Sequence, residues 1–264
     1  MDILDSRSQV VNAENETPLR MAAIAAMFDE GTIRHCERRG IGAGWRCLEV
    51  GGGGGSITRW LSDRVGPTGR VVATDIDTRW LEALELPNVS VRQHDITRDA
   101  LPDAAFDLIH TRLVLMHLPQ RDEVLERLVR ALKPGGWLLL EEFDSLSAAA
   151  DPTVSPGEII LKTHVAMARV MADQGVNRRY GRLLFGRLRA RGLVGVDAEA
   201  RMFMLHRESP GVALMRTVYH RLRQDMLDAG YITVDDFDRD IRRLDDPDYM
   251  MPSPALWTVW GQRP

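Results

Sequence analysis

Cysteine is almost absent from this chain of 264 residues, which contains only Cys36 and Cys47. Two cysteines cannot build the disulfide framework of a small secreted domain, and they lack the spacing of a metal site, so we predict no metal. The chain also lacks an apolar run of the roughly 18 residues that a membrane span requires. Its first residues, Met1–Asp5, are acidic where a signal peptide is basic. We therefore expect a cytoplasmic protein without a membrane partner.

A surplus of positive charge is missing as well. The chain has 34 basic and 38 acidic residues and a pI near 6.0. This balance provides no broad positive field for nucleic acid, so a small-molecule partner is favoured, and a homodimer is compatible with it. The hydrophobic content of 44% is enough to bury one sizeable core.

Glycine is concentrated in one place. Five consecutive glycines, Gly51–Gly55, follow the short apolar run Arg46–Val50 and precede apolar residues at helical spacing. The pattern predicts a strand, a tight turn and a helix. Because glycine has no Cβ and accepts positive φ, a ligand can lie against such a turn and meet the amide groups that open the helix.

The spacing of these glycines separates two kinds of ligand. A dinucleotide-binding turn needs glycine or alanine at position 56, which is Ser56. An acid followed by alternating glycines is present in full as Glu49, Gly51, Gly53 and Gly55. Here the chain resembles the class I S-adenosylmethionine-dependent methyltransferase family. A nicotinamide-dependent oxidoreductase remains the less favoured alternative.

Two further acids follow strands at positions that suit an adenosine ligand. Asp75, followed by Ile76, ends a β-branched run 20 residues beyond Gly55, where an acid can accept hydrogen bonds from ribose hydroxyls. The family resemblance implies that Asp95, after the strand at 89–93, receives the adenine amino group and that Ile96 lies near the ring. A helix or turn cap is the competing interpretation of Asp95.

The fourth strand, predicted at 106–109, leads into His110, Thr111 and Arg112. Residues that leave the carboxyl end of a parallel strand line the ligand crevice, so we expect contacts to cofactor or substrate here. Arg112 either holds a carboxylate of the ligand or pairs with a neighbouring acid. The start of this strand and the later His117–Pro119 resemble the family's fourth motif.

A helix over 122–132, a Lys-Pro-Gly-Gly turn and a strand over 137–140 also resemble the family closely. The resemblance implies a Rossmann-like α/β fold, doubly wound, with a mostly parallel seven-stranded sheet and helices on both faces. The sixth strand is predicted within 193–205 and the seventh at 256–260. The acids of 141–144 leave the fifth strand on the ligand side, where one could act as a base.

We predict a single methyltransferase domain over 1–264, with an N-terminal helical cover (1–40), a cofactor-binding core (41–144) and two helical insertions (145–178 and 207–250). The cover is expected to contain a helix beginning at Thr17–Pro18 and a short second helix over 30–39. The resemblance implies that Glu14, Glu16 or Arg20 lies near the amino-acid end of the cofactor. A long insertion in a compact domain tends to serve function, often as a lid over a ligand.

The chemistry that the resemblance implies is methyl transfer from S-adenosylmethionine, leaving S-adenosylhomocysteine. In-line displacement depends mainly on alignment, and an oxygen acceptor is also helped by a base. Candidate bases are His110, His164 and His220. Methylation of oxygen is slightly favoured over carbon or nitrogen, and methionine-bearing insertions suggest a small aromatic or polyketide-like acceptor. A sensor or cyclase that binds the cofactor without methyl transfer is the alternative.

Overall fold

Seven of the strands form one sheet, which is the predicted architecture. The computed structural model describes residues 18–147 and 161–264. Within them the sheet order is β3-β2-β1-β4-β5-β9-β6, and β7 and β8 form a separate two-stranded sheet. The strands are β1 Arg46–Val50, β2 Arg70–Asp75, β3 Val89–Gln93, β4 Phe106–Arg112, β5 Leu132–Asp144, β6 Val194–Arg201, β7 Met204–His206, β8 Met250–Pro252 and β9 Ala255–Gln262.

The helices connect these strands in the alternation that the sequence predicts. They are α1 Pro18–Arg38, α2 Ser56–Val65, α3 Arg79–Glu82, α4 Arg121–Ala131, α5 Lys162–Asp173, α6 Tyr180–Ala190, α7 Pro210–Arg221, α8 Arg223–Asp228 and α9 Val234–Arg243, with a 3-10 turn at Leu115–His117. Parallel pairing joins β3, β2, β1, β4 and β5, whereas β6 and β9 pair antiparallel. The sheet is therefore mostly parallel, as expected.

The chain divides into two compact units. The sheet unit comprises Phe28–Asp144, Arg179–Arg201 and Leu256–Pro264. The helical unit comprises the described residues of Met1–Met27, Ser145–Arg178 and Met202–Ala255.

The sheet unit is held together by strands that are apolar on both faces. Four consecutive residues of β1, Cys47 to Val50, are all buried, which is typical of a parallel strand covered by helices on both sides. One apolar cluster joins α1 and α2 to this sheet through Cys36, Ile57 and Leu61, which pack with Leu108 and Leu139. Burial of such side chains contributes about 1.5–3 kcal/mol each.

The helical unit has a core of its own. Its buried aromatic residues are Tyr219, Phe237 and Tyr249, and the Tyr249 hydroxyl lies 2.9 Å from the Met251 sulfur. Met27, Met167, Met171 and Met215 are partly buried residues packed against this core. None of the helices in the described chain is long and apolar enough to cross a membrane.

Three predicted boundaries are wrong. The first helix continues without a break from Pro18 to Arg38, so the separate second helix predicted over 30–39 is not formed. A Cβ at Gly31 would lie 1.5 Å from Arg201 Nη1, so the Arg201 guanidinium packs directly against the helix at this glycine. The strand predicted to end at 109 extends to Arg112, and the strand predicted at 137–140 extends over Leu132–Asp144. Pairing with β4 carries it through the Lys-Pro-Gly-Gly segment, where the register shifts.

The two predicted insertions have different outcomes. Residues 207–250 form α7, α8 and α9, as expected, although the flanking segments add the hairpin of β7 and β8. Most of 145–157 and the start of the helix predicted at 158 lie outside the described residues, as do Thr17, Glu14 and Glu16.

Close approach of α6 to β5 gives a prediction about stability. A Cβ at Gly181 would lie 2.5 Å from the Glu142 carbonyl oxygen and 2.9 Å from the Trp257 ring, so Gly181→Ala is expected to lower the free energy of unfolding by about 1–3 kcal/mol. The matched control is Gly186→Ala in the same helix. Gly186 has open space around it, so the alanine should stabilise by about 0.5–1 kcal/mol. Urea unfolding of both variants measures this, and equal effects would contradict the proposed close packing.

Candidate active site

The crevice for a ligand lies where the direction of strand order reverses. From β1 the sheet continues through β2 to β3 on one side, and through β4 to β5 on the other. Helical connections leave these two neighbouring strands in opposite directions, which opens a crevice at their carboxyl ends. The glycine turn follows β1, and the residues after Arg112 follow β4, so both segments meet at this point.

The glycine turn has the conformation that only glycine adopts easily. Gly51, Gly53 and Gly55 have φ of 70°, 50° and 76°. The N–H groups of Gly51 and Gly52 donate to the Thr74 carbonyl oxygen at 2.8 and 3.0 Å, which fastens the turn to the end of β2. Helix α2 then begins at Ser56, and its N-cap residue is Gly55, which has no side chain to cover the first amide groups of the helix.

The three alternating glycines have different surroundings. A Cβ at Gly51 would lie 2.4 Å from Val114 Cγ2, and one at Gly55 would lie 2.5 Å from Leu84 Cδ1. At Gly53 the nearest atom would be the Gly51 carbonyl oxygen at 4.0 Å. The turn is therefore packed by protein at both ends and open in the middle, where a ligand can approach the backbone.

Asp75 connects the end of β2 to this open middle. Its Oδ2 accepts the Gly53 N–H at 2.9 Å, and its Oδ1 accepts the Asp77 N–H at 3.2 Å. Burial raises the pKa of Asp75, and these backbone donors oppose the rise. Each carboxylate oxygen keeps a further lone pair, so the group can still accept hydrogen bonds from a ribose. Ile76 follows it, half-buried.

These features fit S-adenosylmethionine. The open backbone at Gly53 can approach the ligand closely, the uncapped start of α2 can receive its carboxylate, and Asp75 can bind its ribose. Gly53 and Asp75 were both predicted from the sequence, and the structure brings them into hydrogen-bond contact.

Asp95 has the geometry of a turn cap. Its Oδ1 accepts the Thr97 N–H at 2.9 Å and the Thr97 hydroxyl at 2.6 Å, and its Oδ2 lies 3.5 Å from Arg98. Ile96 is buried, and its carbonyl oxygen accepts from Arg127 at 3.1 Å. The structure thus contains the capping contacts of the competing interpretation, and the adenine contacts of Asp95 and Ile96 stay predictions.

The two residues that end β4 have opposite environments. Thr111 is fully buried, and its hydroxyl has no hydrogen-bond partner among the described residues. Arg112 donates to Asp29 at 2.8 Å and to the Thr32 hydroxyl at 3.1 Å. Arg112 therefore makes the ion pair with a neighbouring acid that the sequence left open, and its partner is on α1.

His110 lies between two carboxylates. Its Nδ1 is 2.8 Å from Glu49 Oε2, its Nε2 is 3.3 Å from Glu141 Oε2, and all three side chains are buried. Burial alone would lower the pKa of His110, but the two carboxylates outweigh it and raise the pKa to about 9. Burial likewise opposes ionisation of Glu141, yet its hydrogen bond with His110 contributes to holding its pKa at about 2.

A larger set of charges surrounds this group. Thr32 donates to Glu141 Oε2, Thr258 donates to Oε1 at 2.7 Å, and Arg201 lies 3.4 Å from Oε1. Arg201 and Arg34 both pair with Glu199. We call these connected side chains the charge network; its four acids are Asp29, Glu49, Glu141 and Glu199, and its four cations are Arg34, His110, Arg112 and Arg201. The charges balance only when His110 is protonated.

This arrangement favours a structural role for His110. An imidazolium that donates both N–H groups has no lone pair with which to accept a proton. Glu49, predicted to contact the cofactor, is turned inward toward the same ring. The base role of His110 and the cofactor role of Glu49 stay predictions, and the contacts of both side chains are with the charge network.

The other two candidate bases belong to the helical unit. His164 is half-buried, its Nδ1 lies 3.1 Å from the Tyr219 hydroxyl, and burial, aided by Arg178, lowers its pKa to about 4. His220 is exposed, with its ring 5.5 Å from that of Phe237 in an edge contact. His164 is thus a neutral imidazole near pH 7, and neither residue has a contact that identifies an acceptor.

Sequence reasoning missed Asp29 and Thr32, which attach α1 to the end of β4. It noted the acids of 141–144 but not that Glu141 and Glu142 are both fully buried. The signal was present, because two acids directly follow three leucines of an apolar strand. Acids in such a position are buried only when they are paired or hydrogen-bonded.

Comparisons with known proteins point to one family. Residues 48–140 match the family model described as a methyltransferase domain. The ubiquinone/menaquinone biosynthesis C-methyltransferase UbiE of Pseudomonas aeruginosa is 37% identical over 120 residues, which is 42% of this chain and 47% of that protein. UbiE of Pseudomonas fluorescens is 36% identical over 115 residues, 40% of this chain and 45% of that protein. The chain thus spans about half the length of the curated relatives it matches.

Solved structures share the fold. Phosphoethanolamine N-methyltransferase 2 of Haemonchus contortus, in complex with S-adenosylmethionine, has a TM-score of 0.61 at 15% identity, covering 98% of this chain and 60% of that one. The YcgJ protein of Bacillus subtilis has a TM-score of 0.59 at 15% identity, with coverage of 89% and 98%. The [4+2]-cyclase SpnF has a TM-score of 0.50 at 16% identity, with coverage of 89% and 81%.

The position of His110 predicts a pH dependence of stability. The pKa of His110 is raised from its ordinary value of 6.5 to about 9, so protonated His110 stabilises the folded state. This stabilisation is complete below pH 6.5 and is lost as the pH rises through 9. Glu49 and Glu141 lose their shared cation in His110→Gln, so we expect about 3–5 kcal/mol of destabilisation below pH 6.5. This difference from wild type should shrink by up to roughly 3 kcal/mol as the pH approaches 9.

His35→Gln is the matched control. His35 is equally buried, but burial lowers its pKa, so the destabilisation by His35→Gln should change much less between pH 6.5 and 9 than that by His110→Gln. Chemical unfolding at several pH values gives both differences. If the difference in free energy of unfolding between wild type and His110→Gln stays constant between pH 6.5 and 9, His110 is not protonated in the folded protein.

Proposed function

Because this chain belongs to the class I S-adenosylmethionine-dependent methyltransferase family, we propose that it transfers the cofactor's methyl group to a carbon atom of a small apolar molecule. The observation that carries the proposal is the contact between Asp75 and the open middle of the glycine turn, at the point where strand order reverses. When bound, the cofactor supplies an electrophilic methyl group on a sulfonium.

The chain contributes mainly binding and alignment. The turn at Gly53 approaches the cofactor with its backbone, and Asp75 binds the ribose, so the position of the sulfonium is fixed by β1 and β2. Displacement at the methyl group then requires an acceptor held about 3 Å away and in line. Such a reaction does not need a covalent intermediate on the protein.

Carbon replaces oxygen as the favoured acceptor atom for two reasons. The similar curated proteins are named C-methyltransferases, although the chain matches only about half of their length. His110, the first candidate base for an oxygen acceptor, has both ring nitrogens engaged by carboxylates. An acceptor that is already nucleophilic at carbon needs less help from a base at the moment of transfer.

The proposed type of acceptor is inferred from residues of the helical unit. Met167, Met171 and Met215 are partly buried against its core, and methionine provides a polarizable apolar surface that adapts to shape. This supports the proposal of a small aromatic or polyketide-like acceptor. His164 adds one neutral polar group to the same unit.

The first test concerns the cofactor. Asp75→Ala should weaken binding of S-adenosylmethionine at least tenfold, since each lost charge-assisted hydrogen bond is worth about 1.5–3 kcal/mol. Asp77→Ala is the matched control, because Asp77 lies two residues further on and pairs with Arg79 at 2.6 Å. Isothermal titration calorimetry on both variants and wild type measures the affinities. Unchanged affinity in Asp75→Ala would remove Asp75 from the site.

The second test concerns transfer and the acceptor atom. The protein is incubated with S-adenosylmethionine labelled with ¹³C in its methyl group and with hydroxylated aromatic compounds that offer both a nucleophilic ring carbon and an oxygen. We expect S-adenosylhomocysteine to form in equal amount with a product whose ¹³C shift identifies a methyl group on carbon. Asp75→Ala serves as the control for activity from this site. A label on oxygen would reverse the choice of atom, and tight binding without turnover would favour a sensor or cyclase.

A further inference from the structure

The turn that follows β4 is held in a strained conformation. Leu113 has φ of 58°, in the left-handed region that a leucine rarely adopts. Its N–H donates to the Glu141 carbonyl oxygen at 2.8 Å, and the chain then enters the 3-10 turn Leu115–His117. A conformation of this kind persists only where surrounding contacts determine it.

Glu142 supplies those contacts. Its Oε1 accepts the Leu115 N–H at 2.6 Å and the Val114 N–H at 3.1 Å, and the side chain is fully buried in β5. The carboxyl group thus holds two successive backbone donors just after the strained leucine. These donors would otherwise be unsatisfied at the start of the 3-10 turn.

The same turn packs on the glycine turn. A Cβ at Gly51 would meet Val114 Cγ2 at 2.4 Å, so the valine methyl group fills the space beside the first alternating glycine. Val114 is one of the two residues whose N–H groups Glu142 accepts. A short series of contacts therefore runs from Glu142 through Val114 to Gly51.

Only one carboxyl oxygen of Glu142, Oε1, accepts these hydrogen bonds. Its Oε2 is buried and has no hydrogen-bond partner among the described residues. Burial raises the pKa of Glu142 to about 8, against the backbone donors and Arg121. Near neutral pH the side chain is mostly a neutral acid, which glutamine imitates in shape and in its acceptor oxygen.

We infer that Glu142 is a positioning residue, which holds Val114 against Gly51 and so sets the shape of the cofactor-binding glycine turn. The inference rests on the proposed function, since it assigns Glu142 an effect on the affinity for the cofactor. It gives Glu142 no contact with the cofactor or with the reacting atoms.

The test compares three variants with wild type, using S-adenosylhomocysteine as the probe. Glu142→Asp shortens the side chain by one methylene, so it cannot reach both N–H groups from the same strand position; Glu142→Gln keeps the reach and the acceptor. The matched control is Asp144→Asn, in the same strand and equally buried, whose carboxylate pairs with Arg182 on α6. Calorimetry gives the dissociation constants, and thermal unfolding without the probe gives the stabilities.

We expect Glu142→Asp to raise the dissociation constant at least tenfold, Glu142→Gln to stay within about threefold of wild type, and Asp144→Asn to lower the unfolding temperature without weakening binding. A merely structural role would lower the unfolding temperature of Glu142→Asp and leave its affinity at the wild-type value. That result would overturn this inference and leave the proposed function standing. Absence of binding by folded wild type would overturn both.

Discussion

The buried imidazolium of His110 fixes the centre of the sheet. It joins β1 through Glu49 and β5 through Glu141, while Thr32 extends the contact to α1. Removing charges from water is costly, and such a group is tolerated only when each donor and acceptor is paired. Both ring nitrogens of His110 face a carboxylate, and the charge network around it has equal numbers of acids and cations. The carboxyl ends of the central strands are consequently held at fixed positions, and the ligand crevice lies at those ends.

Neighbouring acids in β5 show how environment assigns different properties to one residue type. A hydrogen bond with His110, aided by Arg112 and Thr32, holds the pKa of Glu141 at about 2, whereas burial raises the pKa of Glu142 to about 8 against its backbone donors and Arg121. Successive side chains of a strand point to opposite faces, so the two carboxyl groups serve different partners. One belongs to the charge network under α1, and the other to the turn after β4. The two faces of one strand thus support two sides of the crevice.

Local patterns in the sequence were sufficient for much of this site. The strand at 89–93 has the predicted bounds, and the spacing of glycines and of Asp75 led to groups that are in contact. Partners far apart in sequence could not be predicted in this way. His110 is 61 residues from Glu49 and 31 from Glu141, so only the strand order brings them together. The packing of the Arg201 guanidinium against Gly31 in α1 likewise joins residues that are far apart in sequence.

The division of the chain also separates what is shared with relatives from what is its own. The matched family range, residues 48–140, falls wholly within the sheet unit, which carries the glycine turn, Asp75 and the charge network. Proteins at about 15% identity with different chemistries in their names have this fold, so the fold alone does not determine the acceptor. The helical unit lies outside the matched range and has its own core, methionines and a neutral histidine. Under the proposed function, the residues assigned to the acceptor are therefore ones for which the family pattern provides no counterpart.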